Sequence, residues 1–231
     1  MRRFYQKTEI QPAGSGFGIA LDGKPVRTPG KHALAVPNSA LATAIAAEWE
    51  AQHGDVRPAD MPMTRLASIA IDRVRPQRGL IVQQIAAYAG TDLVCYRATH
   101  PPELAARQQM VWQPLLDWAV LRYDAPLVVT SGVIPIAQPA ASLEAFAGVV
   151  AAQDDLALAA LHLATGACGS LVIALALRER RLDAAEAFAA SQLDESFQIE
   201  AWGEDEEQVA RRQALGDDIA TAARFLALLG G

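Results

Sequence analysis

The residues best suited to recognition or chemistry lie in the segment SQLDESFQIEAWG, near the C-terminal end of the sequence. At about 100° per residue along a helix, Glu195 and Gln198 fall on the same side as the apolar residues Phe188, Ile199 and Trp202. A second apolar face lies nearly opposite, so the helix is predicted to be enclosed between other elements. Because a carboxylate within an apolar face is costly unless it finds a partner, Glu195 is the residue that needs an explanation.

Two interpretations of Glu195 are open on the sequence. In the first, its carboxylate forms an ion pair with an internal arginine, such as one from the basic run RERR at residues 178–181. In the second, this face of the helix is a cleft or a partner surface, and Glu195 is its polar anchor. Spacing alone allows both.

A catalytic use of the same segment is a further hypothesis. Glu195 with Glu200 or Asp194 could form an acid/base pair, because paired carboxylates do such work when their environments push their pKa values apart. Glu195 and Glu200 are separated by about 140° around a helix, which makes a shared cleft difficult. A deep pocket at Glu195 with a second titratable group would favour a small-molecule enzyme, and a shallow groove would weaken that hypothesis.

Other candidate motifs favour structural roles. The glycine-rich segment GSGFG at residues 14–18 has no strand-to-helix transition after it and no suitably placed lysine, so it is not a phosphate loop. The segment TGACGS at residues 165–170 lacks the glycine and the strand that precede a nucleophile. It is predicted to link two helices, one of which ends at Gly166 or Gly169, with Cys168 packed in the interior. We assign no catalytic residue.

Composition and charge exclude several classes of protein. Apolar residues make up 52% of the 231 residues and the formal net charge is −6, which predicts a globular fold and no nucleic-acid partner. Two separated cysteines and four scattered histidines predict neither a disulfide framework nor a metal site. The longest apolar run, at residues 171–177, is too short to span a bilayer, so we expect no membrane insertion. No cofactor is expected.

The elements that must position the C-terminal segment change along the chain from short extended segments to helices. Short extended segments up to residue 36, with a hairpin turn at Asp22-Gly23, predict a small antiparallel sheet. Asn38 or Ser39 then caps the first of many alanine-rich helices. We therefore predict an α+β fold, in which a small N-terminal antiparallel β-sheet domain with a helix precedes a larger, mainly α-helical domain. The boundary is placed between residues 1–60 and 61–231.

Periodicity predicts the remaining elements. One face of a long helix carries Trp112, Leu115, Leu116 and Ala119, a pattern typical of a protein core. Two segments rich in β-branched residues are short strands or extended connections, and they lie at residues 92–97 and 126–136. Helices are predicted at residues 64–74, 77–88, 102–123, 140–151, 155–167, 171–181, 183–201 and 206–229.

Several segments of the sequence resemble one protein family, the assembly chaperone that binds the α subunit of the F-type ATP synthase catalytic head. They occur in the order found in the family and cover nearly the whole chain, except for residues 126–167. The segments are RFY at residues 3–5, LDGKPVRTP at 21–29, VP at 36–37, AEW at 47–49, TDLVCYR at 91–97, WQPLLDW at 112–118 and DESFQIEAWG at 194–203.

The resemblance implies a function without catalysis. Members of the family hold the newly made α subunit before it meets the β subunit, and they prevent aggregation through the exposed subunit interface. The fold that it implies agrees with the α+β prediction. Glu195 occupies an acidic position that is important in the family, so the residues expected to contact the client are Glu195, Gln198, Trp202 and Asp194. Mitochondrial members of the family carry a presequence, whereas the resemblance here begins at residue 3. It therefore implies a bacterial cytoplasmic protein, or a mitochondrial matrix protein if the source is eukaryotic.

Overall fold

The computed structural model describes residues 2–132 and 134–230. The strands are β1 (Thr8–Ala13), β2 (Gly16–Leu21), β3 (Lys24–Pro25), β4 (Ala35–Val36), β5 (Tyr96–Arg97) and β6 (Thr130–Ser131). The helices are α1 (Ser39–Glu50), α2 (Pro62–Ile69), α3 (Arg78–Ala87), α4 (Pro102–Tyr123), α5 (Ala140–Ala151), α6 (Asp155–Cys168), α7 (Leu171–Arg178), α8 (Ala184–Ser191), α9 (Leu193–Trp202) and α10 (Glu206–Leu229). The order of a small sheet followed by helices confirms the predicted α+β fold.

The chain forms two compact units. The first contains the residues up to Arg78, together with Asp154–Ala160 and the residues from Arg224 onward, and the second contains Gly79–Gln153 and Leu161–Ala223. The first unit therefore collects short segments from two later helices. The domain boundary predicted at residue 60 stays a prediction.

The sheet of the first unit is built around β2, which pairs antiparallel with β1 along its whole length. Strand β2 also pairs antiparallel with β4 through Phe17 and Gly18, and with β3 through Ala20 and Leu21. Asp22 and Gly23 connect β2 to β3 with φ of 48° and 77°. Two successive positive φ angles match the right-handed twist of the paired strands, which is why Asp-Gly is favoured here. The predicted hairpin is confirmed at the predicted residues.

Helix α1 packs on β1 and β2, and Leu41 and Ile45 are fully buried. Glu48, on the same helix, reaches the N-terminus of α2. Its two carboxylate oxygens accept hydrogen bonds from the backbone N–H groups of Met63 at 2.7 Å and Thr64 at 2.8 Å. These N–H groups have no partner within their own helix, so the carboxylate satisfies them and joins α1 to α2.

Asn38 stabilises two helix ends at once, and its replacement by alanine is expected to cost about 2 kcal/mol of unfolding free energy. Its Oδ1 accepts from the N–H of Leu41 at 2.9 Å, and its Nδ2 donates to the carbonyl of Leu228 at 2.9 Å, near the end of α10. Urea denaturation of Asn38→Ala measures the loss. Asn38→Ser retains the N-cap acceptor and is expected to recover about half, so a serine variant as stable as the wild type would contradict the contact with Leu228.

The core of the second unit is assembled around α7, in which Leu171 to Leu177 are all buried. Helices α4 and α8 pack against it. The predicted apolar face of α4 is confirmed, since Trp112, Leu115, Leu116 and Ala119 are buried. The Trp112 ring joins two of these helices, because its Nε1 donates to the carbonyl oxygen of Ala190 in α8 at 2.8 Å.

The turn between α6 and α7 also follows the sequence prediction. Helix α6 ends at Cys168, and Gly169 adopts the left-handed conformation with φ of 63°. Glycine is favoured at such a helix end because a Cβ is strained there. Gly166, the other candidate for this role, lies inside α6.

The single helix predicted at residues 183–201 is wrong. The structure has two helices, α8 and α9, separated by Gln192 with φ of −107° and ψ of 24°. Ser191 contributes to the break, because its hydroxyl donates to the carbonyl of Phe188 at 2.9 Å. Such a side-chain bond offers the backbone an alternative to the regular helical pattern. Phe188 and Trp202 therefore lie on different helices, and the prediction that they share one helical face is wrong. The predicted face within α9 still applies, because Glu195, Gln198 and Trp202 belong to one helix.

The two β-branched segments contain very short strands. Only Tyr96–Arg97 and Thr130–Ser131 pair, in parallel register. The residues before Tyr96 form a tight turn, which Asp92 caps by accepting from the N–H of Val94 at 3.2 Å. Apart from Thr130–Ser131, the described residues of the segment 126–136 form neither helix nor strand; Val133 lies outside the described residues.

Candidate functional site

A small groove of about 140 Å³ lies between α9 and the start of α10 in the second unit. Three of the four predicted client-contact residues line it together: Glu195, Gln198 and Trp202. Their spacing of three and four residues places them on one face of α9. The full lining is Gln192, Glu195, Gln198, Ile199, Trp202, Gly203, Gln208, Arg211 and Arg212.

Glu195 presents an unpaired carboxylate to this groove. The side chain is exposed, and among residues 2–132 and 134–230 it makes neither a hydrogen bond nor an ion pair. The expected pairing with an arginine from residues 178–181 is therefore not formed within that part of the chain. Glu195 lines a surface groove instead, and its role as a polar anchor for a partner stays a prediction.

The opposite wall of the groove is basic. Arg211 is exposed, whereas Arg212 is held in place by two partners. The Arg212 Nε lies 3.1 Å from a carboxylate oxygen of Glu204, and its Nη2 donates to the hydroxyl of Ser196 at 3.2 Å. Its guanidinium also lies over the Phe188 ring, 5.3 Å from the centroid. The groove therefore faces a partner with a free carboxylate on one wall and guanidinium groups on the other.

Trp202 is the aromatic residue of the groove lining, with 82% of its surface open to solvent. It is the last residue of α9, and Gly203 ends the helix with φ of 82° while its N–H donates to the carbonyl of Ile199 at 2.8 Å. Asp205 and Gln208 then form reciprocal side-chain to backbone bonds at the start of α10. These bonds fix the corner that carries the indole, so Trp202 is exposed on an ordered backbone.

The structure separates Asp194 from its neighbour Glu195. Asp194 is half-buried and does not line the groove; its Oδ1 accepts from Nε2 of Gln108 on α4 at 2.7 Å. Burial raises the pKa of Asp194 above its usual value, and the negative charge of Glu195 acts in the same direction, although the Gln108 bond lowers it. Two adjacent carboxylates thus face different surroundings, because successive side chains on a helix point in different directions.

The groove does not assemble the paired carboxylates of the enzyme hypothesis. Glu200 lies outside the groove lining and pairs with Nη1 of Arg107 at 2.7 Å, which lowers its pKa. The volume of the groove is below the range of about 300 to 1,000 Å³ typical of small-molecule sites. A groove of this small volume with one carboxylate in its lining weakens the acid/base hypothesis.

The two thiols are also unsuited to nucleophilic chemistry. Cys95 and Cys168 are buried, and burial raises the pKa of each thiol to about 12. A thiol with this pKa stays protonated near neutral pH, whereas the thiolate is the nucleophile. Cys168 is therefore a packed residue, as predicted.

Helix α10 contributes three residues to the groove that were not predicted from the sequence: Gln208, Arg211 and Arg212. Periodicity within one helix gives no information about which other helix lies beside it. A run of two arginines in a charged, exposed helix carried no signal of a site, because such runs usually form a solvated face.

In the ranges 2–132 and 134–230, no group of three or more histidine, cysteine or acidic side chains is arranged to hold a metal ion. Over the same residues, no helix combines the length and apolar character needed to cross a bilayer.

Comparison with known proteins places the chain in a family. The family model described as ATP12 chaperone protein matches residues 2–120. The crystal structure of Atp12 from Paracoccus denitrificans is 41% identical, covers 99% of this chain and 98% of its own, and superposes with a TM-score of 0.95. A mutant of the same P. denitrificans protein, also 41% identical, covers 99% of this chain and 97% of its own with a TM-score of 0.96. Mitochondrial protein atp12 of Schizosaccharomyces pombe is 24% identical over 214 residues, which is 87% of this chain and 74% of that protein. The chain belongs to the ATP12 family of assembly chaperones.

Proposed function

We propose that this protein binds the unassembled α subunit of F-type ATP synthase and prevents its aggregation before it pairs with the β subunit. Membership of the ATP12 chaperone family supports the general activity. The observation that carries the specific proposal is the groove on α9, in which a free Glu195 carboxylate lies beside an exposed tryptophan. The proposed site of action is the bacterial cytoplasm, or the mitochondrial matrix if the source is eukaryotic.

The physical requirements of such a chaperone match the groove. An isolated subunit of a ring exposes apolar surface and strand edges that would otherwise associate with other copies. A chaperone that must later release its client needs a limited apolar contact with polar anchors, so that the correct partner can compete. Trp202 supplies the apolar contact, and Glu195 with Gln198 supplies polar groups for a basic or amide group of the client. We propose no catalysis in this interaction.

Co-expression with the α subunit of the same organism tests the proposal. We expect α that is insoluble on its own to become soluble, to co-purify with this protein, and to be released when β is added. If α stays insoluble, or is equally soluble without this protein, the proposed client is wrong. A different client of the same groove would then be sought by the same assay with the other ATP synthase head subunits.

Replacing Glu195 by glutamine is expected to weaken α-subunit binding about tenfold while leaving the fold unchanged, since one charge-assisted hydrogen bond is lost at an exposed position. Affinity is measured on purified proteins by titration calorimetry. Glu200→Gln is the matched control, because it makes the same change on the same helix outside the groove. Equal effects of the two variants, or none from Glu195→Gln, would contradict the anchor role.

A further inference from the structure

The first compact unit contains a cavity of about 570 Å³ that the proposed function does not use. This volume is within the range typical of ligand pockets. Its lining is largely apolar and includes Trp49 from α1, Val56, and Met61 and Ile69 around α2. The loop at residues 27–30, part of the segment LDGKPVRTP singled out in the sequence, forms another wall.

That wall is held in one conformation by a partly exposed hydrogen-bond network centred on Asp72. The carboxylate accepts from the Thr28 hydroxyl and from the N–H of Gly30, both at 2.7 Å, and Nδ1 of His32 lies 2.8 Å away. A Cβ on residue 30 would lie 2.7 Å from the carboxylate, so only glycine permits this approach. The cavity is therefore preformed, and the single carboxylate in its lining is already engaged.

The charge of the cavity is opposite to that of the whole chain. Arg27, Arg65 and Arg73 line it against one acidic residue, Asp72, whereas the chain carries a net charge of −6. Arg73 is exposed and forms no hydrogen bond or ion pair with the described residues. A cluster of this kind attracts a negatively charged group.

Trp49 adds apolar surface to the cavity. Its indole Nε1 is buried and has no hydrogen-bond acceptor in the described structure. Because this atom is closed to solvent, a molecule in the cavity contacts other atoms of the ring.

We propose that this cavity is a second client-binding site that takes an acidic segment of the α subunit. An apolar side chain of the segment occupies the cavity, and a neighbouring Asp or Glu contacts the arginines. The identity of the client rests on the proposed function above. The chemistry of the segment follows from the apolar lining and the three arginines.

The test compares the affinity of the full chain for the purified α subunit between variants of the cavity and of a matched surface site. Arg73→Glu is expected to weaken binding about tenfold, because it reverses a charge at the rim. Arg224→Glu, an equal change at an exposed position of the same unit outside the cavity, is expected to leave affinity within about twofold. Raising the salt concentration should weaken the wild type more than Arg73→Glu.

A cavity-filling variant gives an independent readout. Ser68 is buried in α2 and lines the cavity, so Ser68→Trp fills part of the cavity. Binding of the α subunit is expected to fall about tenfold. The salt dependence of the wild type is expected to remain, because no charge has changed. Thermal unfolding of each variant verifies that it is folded. If Ser68→Trp does not fold, the affinity of Arg73→Glu alone tests the second site. If the wild type binds α and Arg73→Glu binds it equally well, the second site is wrong and the proposed client stands. Failure of the wild type itself to bind α would overturn the client.

Discussion

Replacement of Trp202 by alanine is expected to weaken binding of the α subunit about hundredfold without destabilising the protein. The indole is 82% exposed at the end of α9, so its removal leaves no cavity in the core. Exposed aromatic side chains that become buried in a complex contribute a large share of the binding energy at protein interfaces, and tryptophan is the most enriched of them. Surface plasmon resonance on purified protein and α subunit measures the change.

The control for Trp202→Ala is Leu121→Ala. Leu121 lies on α4, is 88% exposed and does not line the groove, so its truncation removes exposed apolar surface of a comparable kind. Leu121→Ala is expected to change affinity by less than about twofold. An equal loss for both variants would indicate contact through general apolar surface, and the specific role of the α9 groove would be wrong.

Replacement of Trp112 by alanine is expected to reduce the free energy of unfolding by about 4 kcal/mol. Trp112 is fully buried, its Nε1 donates to the carbonyl of Ala190 at 2.8 Å, and the guanidinium of Arg97 lies 5.1 Å from its ring. The variant loses the transfer free energy of a large side chain and leaves a cavity. It also leaves the carbonyl of Ala190 without its partner and the buried Arg97 without the ring it lies over.

Urea denaturation followed by circular dichroism measures this loss. Trp112→Phe retains most of the apolar volume and loses the indole hydrogen bond, so about 2 kcal/mol is expected for that variant. Val111→Ala changes the preceding, partly exposed residue of the same helix and is expected to stay within about 0.5 kcal/mol of the wild type. A small effect of Trp112→Ala would show that Trp112 is not a major contact between α4 and α8.

Much of the fold could be predicted because it follows from local rules. Asp22 and Gly23 make the hairpin turn where their tolerance of positive φ is needed. Asn38 caps α1 through its side chain, and α4 begins and ends at the predicted residues, 102 and 123. The buried face of α4 follows from its periodicity, since one apolar stripe must find the core.

The break between α8 and α9 could not be predicted in the same way. Residues 183–201 have a continuous helical pattern, and a Ser191 hydroxyl bonded to the Phe188 carbonyl decides the local geometry. Whether that bond or the regular helical pattern is preferred depends on what surrounds the residues, and both Ser191 and Gln192 are buried. Periodicity carried across the break therefore placed Phe188 on a face that it does not share with Trp202.

The sequence by itself determined that Glu195, Gln198 and Trp202 share one face, because the helical repeat fixes the relative directions of side chains within α9. Only the tertiary structure decided what those side chains meet. The packing of the second unit brings Arg211 and Arg212 beside Glu195, and it brings Gln108 to Asp194. Arg211 and Arg212 are 16 and 17 positions from Glu195, and Gln108 is 86 positions from Asp194, so no local rule of helix geometry relates their directions. The difference between a buried ion pair and an open groove therefore depends on contacts distant in sequence.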